Sequence, residues 1–354
     1  ALLGTAFWLK LIGAILVLIT LAIAVNFTSN DTYTNSLVFI IASATVFQCF
    51  NVIDFYYQAK VLGKYIVFAN VISLLVSSIV KIVLILYKAP LIAFAWAIAF
   101  DSIVLAMGYL YFYLKNHSLF TIGHLTFNKK IAQNLLKDSW PLILSGMVIA
   151  IYMRIDQVMI KEMLGNEAVG QYAAAVRISE AWYFIPMVIA SSVFPAIINA
   201  KKISEELYYA RLQKLYSFMV WLSIAIALPM TLLSDWVIHL LYGNQYQQAG
   251  NVLMIHIWSG VFVFLGVASG KWLLNENLQI FSTINTSIGA VLNIFLNYIF
   301  IPEFGIEGAA WATLISYCVA AYLGLAFFKK TRINFINLTR SLFFLRNSNV
   351  QANH

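Results

Sequence analysis

Long apolar segments constrain this sequence more than any other feature. Ten runs of 20 or more residues are predominantly apolar, and a helix of that length crosses the bilayer core of about 30 Å. The runs lack the period-two alternation of membrane barrel strands, so each predicts a transmembrane helix. The ten predicted helices cover residues 4–25, 35–58, 65–87, 90–114, 140–161, 169–199, 214–241, 249–274, 278–301 and 305–328.

Charged residues are scarce for a chain of this size. They make up 10% of the 354 residues, whereas soluble globular proteins carry about 25%. So few charges cannot solvate a protein surface, and most of that surface must face lipid, which excludes a water-soluble fold. The sequence therefore predicts an all-α integral membrane protein with ten transmembrane helices.

The basic residues predict the orientation of these helices. With residue 1 in the cytoplasm and alternating helices, fifteen Lys and Arg residues fall in cytoplasmic segments, and only Lys88 and Lys161 fall on the other side. This distribution follows the positive-inside rule. The net charge of +8 is then explained by cytoplasmic loops, and no nucleic-acid partner is implied.

An internal repeat relates two parts of the sequence. A shift of 215 residues aligns residues 64–115 with 279–330 without a gap, and 11 of the 52 positions are identical, Asn70 and Asn285 among them. The two copies have the same predicted orientation. This arrangement is typical of parallel repeats related by an axis along the membrane normal.

The repeat also predicts the domain organisation. Helices 140–161 and 169–199 have no partner under the same shift, which predicts two six-helix lobes whose first two helices are absent from this sequence. The polar stretch between the lobes is typical of an interfacial helix. The expected domains are an incomplete first lobe of four helices (1–114), an interfacial linker helix (115–139), a complete second lobe of six helices (140–328) and a basic cytoplasmic tail at the surface or disordered (329–354).

Ionisable residues within the predicted helices are the candidates for function, because a charge at the bilayer centre costs about 2.5–3.5 kcal/mol. Arg154 and Arg177 flank the turn near Gly165 on antiparallel helices, and the helical rise places both near mid-bilayer. Asp156 lies at a similar depth, and Glu180 shares a helix face with Arg177. Four such groups in one hairpin favour a polar cavity; the alternative is a buried network that only locks the helices together.

The first lobe carries a related pair, Lys81 and Asp101, on neighbouring antiparallel helices. Their depths differ by about five residues, which leaves a direct ion pair open. Lys271, like Lys10 and Asp54, lies within about two turns of a cytoplasmic helix end, where a side chain can snorkel to the interface. The candidates for substrate binding are Arg154, Arg177, Lys81 and Lys271, and those for ion coupling or cavity charge are Asp156, Glu180 and Asp101.

Aromatic side chains near the charged hairpin offer faces on which sugars could stack, although lipid-facing or interfacial positions explain most aromatic residues of a membrane protein. The candidates are Trp140, Tyr152, Tyr172, Trp182 and Tyr183.

Signals for enzyme chemistry are weak. Residues 266–271 resemble a phosphate-binding loop, but Trp272 stands where the motif requires Ser or Thr. The five histidines lack the spacing of zinc ligands, and the two cysteines lie in apolar helices and indicate no disulfide framework. We expect a membrane transporter without cofactor or metal.

Several motifs of the second lobe point to a known family. Residues 138–197 contain Arg154-x-Asp156, Val169-Gly170-x-Tyr172, Arg177, Glu180, Pro186 and Phe194-Pro195, and a later segment contains Pro302-x-x-Gly305-x-x-Gly308-Ala309-Ala310 with Ala312-Thr313. Over 138–330 the sequence resembles the O-antigen and polysaccharide flippases of the multidrug/oligosaccharidyl-lipid/polysaccharide exporter superfamily. The likeness is weaker over 1–115.

The resemblance implies twelve helices in two lobes that open alternately to either side of the membrane. It implies a substrate of oligosaccharide linked to undecaprenyl pyrophosphate, an O-antigen or related surface-polysaccharide repeat unit, moved across the bacterial inner membrane. The implied partners are this lipid-linked oligosaccharide, membrane lipids and polysaccharide polymerase machinery. The implied cavity charges are Arg154, Asp156, Arg177 and Glu180, with Lys81 and Asp101 as counterparts in the first lobe.

Three alternatives stay open at this point. A multidrug exporter shares the fold, but organic cations favour a cavity with excess acid. A peptidoglycan-precursor exporter differs mainly in its sugar contacts. A membrane glycan polymerase also has many helices, but it usually needs a long outward loop, and the outward loops here have about ten residues or fewer.

Overall fold

Helices make up nearly all of the backbone that the computed structural model describes, namely residues 2–26, 31–60, 62–116 and 126–343. No β-strand occurs among these residues, and the all-α prediction is confirmed. The helices are α1 (Leu2–Val25), α2 (Thr32–Phe47), α3 (Asn51–Ala59), α4 (Gly63–Leu86), α5 (Leu91–Asn116), α6 (Lys129–Tyr152), α7 (Ile155–Leu164), α8 (Asn166–Glu180), α9 (Phe184–Lys201), α10 (Glu205–Tyr242), α11 (Gln247–His256), α12 (Ser259–Asn275), α13 (Gln279–Cys318), α14 (Gly324–Phe327) and α15 (Arg332–Leu342).

The chain divides into two compact units, residues 1–140 and 141–354. In the first unit, an aromatic and aliphatic core that includes Tyr57 and Tyr109 joins α3, α4 and α5. The Tyr109 hydroxyl of α5 donates a hydrogen bond to the Asn70 amide oxygen of α4 at 3.1 Å. A polar pair of this kind fixes two apolar helices against each other, because neither group finds water in the hydrocarbon layer.

Helix α10 packs most extensively against α9, α11, α12 and α15 of the second unit. It begins at Ser204, whose hydroxyl accepts a hydrogen bond from the Leu207 backbone N–H at 3.1 Å and caps the helix. It ends at Gly243, where φ is +81° and glycine is the favoured residue. Its buried residues recur every three or four positions, as expected for one face of a helix. They include Tyr208, Leu212, Leu215, Tyr216, Met219, Val220 and Ser223.

Seven helices in the described part of the chain are long and apolar enough to cross a membrane. An eighth span results if α11 and α12, which are bent by 43°, count as one broken span. The chain is therefore a multi-pass membrane protein, but the predicted count of ten is not confirmed. The expected helix 140–161 is divided between α6 and α7, and the expected helices 278–301 and 305–328 lie within one continuous segment.

Gly305 interrupts that continuous segment. Helix α13 has 40 residues and would measure about 60 Å if it were straight, twice the thickness of a bilayer core. Gly305 adopts φ +59° and ψ −139°, which lies outside the helical region. At Gly308 an added Cβ would stand 2.2 Å from the Phe300 carbonyl oxygen. The two halves of α13 therefore approach each other closely at this kink, at the place where the sequence predicts a loop.

The predicted linker helix differs from the observed backbone. Helix α6 begins at Lys129 and continues to Tyr152, so the expected boundary between linker and second lobe at 139/140 falls inside a single helix. The physical reason is that residues 129–139 contain good helix formers and no Gly or Pro, so nothing ends the helix there. Residues 117–125 of the predicted linker lie outside the described residues, as do Ala1 and Arg346 of the orientation argument.

Residues 332–342, for which the sequence predicts a surface or disordered tail, form the packed helix α15. Asn334 is fully buried; its amide oxygen accepts a hydrogen bond from the Tyr216 hydroxyl at 2.7 Å, and its amide nitrogen donates to the Ser269 hydroxyl at 2.7 Å. Leu338 joins the core around α10. The basic residues of this segment favour a solvent-exposed tail, but its buried residues recur on one face of the helix.

A charged cluster joins the ends of three helices of the second unit. The Lys201 ammonium of α9 lies 2.6 Å from the Glu276 carboxylate, which follows α12, and the Tyr208 hydroxyl of α10 donates to the same oxygen at 3.0 Å. Partial burial would raise the pKa of Glu276, but the hydrogen bonds from Lys201 and Tyr208 outweigh it, and the pKa lies below its usual value.

Replacing Glu276 with Gln is expected to lower the free energy of unfolding by about 1 kcal/mol at neutral pH, since the ion pair is partly exposed and screened. A carboxylate whose pKa is lowered by folding stabilises the protein above its unfolded pKa of about 4.5 and loses this effect as the pH falls through the folded value. The difference from the wild type should thus shrink in acid. Thermal unfolding in detergent measures it.

The exposed Glu303 provides the control, because Glu303→Gln removes a carboxylate with no hydrogen bond or ion pair among the described residues. Equal unfolding temperatures of Glu276→Gln and the wild type at neutral pH would contradict the assignment of the cluster.

Candidate functional site

A break in the helix preceding the charged hairpin sets the geometry of the candidate site. Helix α6 ends at Tyr152 and α7 begins at Ile155, and Arg154 between them has φ −133° and ψ −6°, outside the helical region. Helix α7 has ten residues and is therefore about 15 Å long. The left-handed Gly165, at φ +91°, reverses the chain into α8. Interrupted helices within a membrane often mark binding sites, because the free backbone groups must line a cavity or pack in protein.

The two arginines of the hairpin are both exposed in the described structure. The Arg154 guanidinium lies 3.3 Å from the Glu180 carboxylate, and its side chain is still 55% exposed, against 18% for Glu180. Arg177 and Glu180 are three residues apart on one face of α8. Glu180 therefore pairs with the Arg154 guanidinium, and no ion pair engages Arg177 within the described residues. Within the described part of the chain, most N–H donors of Arg154 and Arg177 have no partner and are available to an external anion.

Asp156 occupies a different environment from the arginines. Its side chain is 5% exposed, and it lies in the first turn of α7, where the helix dipole favours a negative charge. The carboxylate accepts hydrogen bonds from the Tyr172 hydroxyl of α8 and from the Thr313 hydroxyl of α13 at 3.2 Å. The charge of Asp156 is therefore compensated by hydroxyl groups from two other segments and not by an arginine.

The network around Asp156 continues along α13. The Asn293 amide nitrogen lies 3.4 Å from the Thr313 hydroxyl, and Asn297 donates to the Asn293 amide oxygen at 3.0 Å. The Asn297 amide oxygen is buried and has no partner within the described structure. Sequence reasoning missed both asparagines; their spacing of four residues in an apolar helix was the available signal, since it puts two polar groups on one helix face.

The chemistry of this cluster suits a hard monovalent cation or a proton. It offers one carboxylate, hydroxyl oxygens and amide oxygens, the oxygen ligands that hard cations prefer. No group of three His, Cys, Asp or Glu side chains occurs in the described residues, as a tight transition-metal site would need. The cluster joins α7 and α8 to both halves of α13, so a change in its hydrogen bonds would alter how these segments pack.

The first unit carries the pair that the sequence singled out. The Lys81 ammonium of α4 lies 2.5 Å from the Asp101 carboxylate of α5. The two side chains therefore form the direct ion pair that the sequence alone did not decide. The second Asp101 carboxylate oxygen is buried without a partner in the described structure. Lys81 is thus neutralised and partly exposed, at 40%.

The remaining intramembrane lysines are less distinctive. Lys271 is partly exposed near the end of α12, and no hydrogen bond or ion pair connects it with the hairpin in the described part of the chain. The Lys10 ammonium lies 4.8 Å from the centre of the Phe55 ring, a cation–π contact. The structure therefore brings Arg154 and Glu180 together, with Arg177 on the same face, and does not bring Lys271 to them.

Comparison with known sequences relates the chain to a polysaccharide biosynthesis family. It matches the family described as polysaccharide biosynthesis protein over residues 1–201 and the MatE family over residues 141–299. A probable low-salt glycan biosynthesis flippase of Haloferax volcanii is 27% identical over 198 residues, which make up 55% of this chain and 41% of that protein. The matched part thus spans less than half of the length of that relative.

Solved structures share the fold. The lipid II flippase MurJ in an inward closed conformation has a TM-score of 0.72 at 18% identity, over 97% of this chain and 76% of that one. An inward-facing multidrug resistance MATE family transporter of the MOP superfamily has a TM-score of 0.71 at 16% identity, over 94% of this chain and 80% of that one. A MOP superfamily transporter from Pyrococcus furiosus has a TM-score of 0.63 at 14% identity, over 95% of this chain and 79% of that one.

Since the family match covers more than half of the sequence, this chain belongs to the polysaccharide biosynthesis protein family and has the fold of the MOP superfamily transporters.

Proposed function

We propose that the protein is a flippase that moves lipid-linked glycans across a membrane. The observation that carries this proposal is the pair of exposed guanidinium groups, Arg154 and Arg177, beside a helix break in a chain that otherwise has few charges. A guanidinium binds two oxygens of a phosphate at once. The similarity to the probable low-salt glycan biosynthesis flippase of Haloferax volcanii supports a glycan cargo.

The hairpin residues then have distinct roles. Arg154 and Arg177 hold the pyrophosphate of the carrier lipid, and Glu180 orients Arg154 through their ion pair. Lys81 and Asp101 form the corresponding charged pair of the first unit, and Lys271 supplies further positive charge near the end of α12. The lipid tail remains in the bilayer while the head group crosses.

The cargo and location follow from the resemblance to polysaccharide flippases. The proposed carrier is undecaprenyl pyrophosphate, and the proposed glycan is an O-antigen or related surface-polysaccharide repeat unit. The protein would then lie in the inner membrane of a bacterium and deliver its product to the polymerase machinery. Alternating access between the two membrane faces is the mechanism shared by transporters built from repeats.

Energy for this cycle is proposed to come from an ion gradient through Asp156. Its carboxylate connects α7, α8 and α13 through the Tyr172 and Thr313 hydroxyls. Binding a proton or a sodium ion there would change the hydrogen bonds that join these segments. A ligand shifts a conformational equilibrium only by its different affinity for the two states, and a buried carboxylate provides such a difference.

A multidrug exporter is the second candidate, because residues 141–299 match the MatE family and MATE transporters share the fold. Organic cations favour a site with exposed acid, whereas at the helix break the exposed charged side chains are Arg154 and Arg177, and the acids beside them, Asp156 and Glu180, are more buried. Competition by a hydrophobic organic cation in the transport assay below separates the two candidates.

Replacing Arg154 or Arg177 with Ala should slow translocation of a lipid-pyrophosphate glycan by roughly tenfold to a hundredfold, the equivalent of one charge-assisted hydrogen bond of about 1.5–3 kcal/mol. Lys at either position should restore part of the rate, because it keeps the charge and loses the bidentate geometry. The measurement uses the full-length protein in vesicles with a fluorescent lipid-linked glycan and an impermeant quencher.

Arg332→Ala is the matched control, since Arg332 is an exposed arginine on α15, and its rate should equal that of the wild type. Wild-type rates for both hairpin variants, with unchanged folding, would refute the pyrophosphate site.

Replacing Asp156 with Asn should abolish the response of the transport rate to a proton or sodium gradient, because the amide has nearly the same shape but cannot be charged. Transport driven only by the glycan gradient should continue. Glu162→Gln, on the same helix but exposed, should respond to the gradients as the wild type does. A gradient response retained by Asp156→Asn would exclude Asp156 as the coupling residue.

A further inference from the structure

A cavity of about 320 Å³ lies wholly within the second unit, among α6, α9, α12, α13 and the π-helical turn Val319–Leu323. Aromatic rings form much of its wall, namely Tyr152, Tyr183, Phe262 and Tyr317. The described residues that line it include no charged side chain. Its volume is at the lower end of the range for small-molecule sites.

Asn285 lines this cavity and lacks a partner. The residue is 2% exposed, and neither its amide nitrogen nor its amide oxygen has a hydrogen bond within the described structure. The hydroxyl of Tyr152, 8% exposed, is likewise unsatisfied there. Each such group costs about 1–3 kcal/mol when it is buried unpaired, so a cavity with three unsatisfied polar atoms is a costly arrangement unless a ligand satisfies them.

The internal repeat shows that this arrangement is specific to the second unit. Under the 215-residue shift Asn285 corresponds to Asn70, whose amide oxygen accepts the Tyr109 hydroxyl at 3.1 Å. The counterpart of Tyr109 is Gly324. An added Cβ at Gly324 would stand 2.8 Å from the Asn285 amide oxygen. The second unit thus has the same asparagine but lacks the hydroxyl that satisfies it in the first.

We propose that this cavity binds a sugar ring of the transported glycan, a proposal that rests on the proposed function. A pyranose is uncharged, presents hydroxyl groups that both donate and accept, and has apolar faces that pack on aromatic rings. The cavity offers the matching features: an amide with a free donor and a free acceptor, a tyrosine hydroxyl and aromatic walls. Binding would satisfy Asn285 and Tyr152.

The position of the cavity fits a sugar attached to a pyrophosphate. Tyr152 and Met153 line the cavity, and Arg154 is the next residue. Two residues span at most about 7 Å along an extended chain, so the proposed pyrophosphate site and the sugar site are neighbours. The helix break lies between the two sites: Tyr152 and Met153 of the uncharged cavity wall come before it, and the charged Arg154 follows them.

Two other occupants fit less well. A pyrophosphate or organic ion would find no countercharge among the described lining residues, and burying an unpaired charge is costly. The tail of the carrier lipid would pack against the rings but would leave the Asn285 amide and the Tyr152 hydroxyl unsatisfied.

The test compares the binding of two probes to the full-length protein in nanodiscs: undecaprenyl pyrophosphate carrying one N-acetylhexosamine, and undecaprenyl pyrophosphate without sugar. The wild type should prefer the sugar-bearing lipid. Asn285→Leu, which replaces an unpaired amide with an apolar side chain of similar size, should reduce that preference by roughly tenfold and leave affinity for the sugar-free lipid unchanged. Tyr152→Phe, which removes only one hydroxyl, should reduce it by roughly threefold.

Stability provides the second readout. Asn285→Leu should unfold at the wild-type temperature or above, since no hydrogen bond of the described structure is lost. Asn70→Leu is the matched control at the equivalent position of the repeat; it should lower the unfolding temperature and leave the sugar preference unchanged. If Asn285→Leu does not fold, Tyr152→Phe decides the question.

The outcomes separate this proposal from the proposed function. Equal binding of both lipids by the wild type, or an unchanged sugar preference in both cavity variants, overturns the sugar site but leaves the pyrophosphate site standing. A wild type that binds neither lipid overturns both. An equal loss of affinity for both lipids in the cavity variants would indicate that the cavity holds the carrier tail, and would also overturn the sugar site.

Discussion

The hydrogen bonds around the Asp156 carboxylate join α7, α8 and α13 within the second unit. A carboxylate buried among apolar helices is tolerated only when donors surround it, and here the Tyr172 and Thr313 hydroxyls come from separate segments. Three helical segments must therefore stay in register for one charge to be satisfied. Asn293 extends the same requirement to the part of α13 before the Gly305 kink.

The backbone around this network is irregular at three points. Arg154 leaves the helical region directly before Asp156, Gly165 turns the chain in the left-handed region, and Gly305 divides α13. Unsatisfied backbone groups are costly in lipid, so such breaks persist only where protein or a polar cavity covers them. The break at Arg154 places an exposed guanidinium two residues before a buried carboxylate. In a continuous helix, residues 154 and 156 would be fixed about 200° apart around the helix axis.

Much of this architecture follows from hydrophobic length alone, because a lipid solvent leaves the chain few choices. The helical class and the charged hairpin were predictable from apolar runs and from the cost of intramembrane charge. The helix count was harder to predict, because it depends on the kink at Gly305, the break at Arg154 and the 43° bend between α11 and α12, which composition does not reveal. The packed helix α15 was missed because its basic residues outweigh, in sequence, the buried Asn334 and Leu338.

The network partners of Asp156 were missed for a related reason. Asn293 and Asn297 are uncharged, so the cost of an intramembrane charge does not single them out. A neutral amide in an apolar helix still needs a hydrogen-bond partner and therefore also indicates a polar site. Asn70 and Asn285 are the same residue at equivalent positions, but only Asn70 has a hydroxyl partner, Tyr109. Gly324 in place of that tyrosine changes a structural hydrogen bond into an unsatisfied amide at a cavity. Identical residues in a repeat thus differ in their hydrogen bonding, and the difference lies in the partner position, which sequence identity alone does not show.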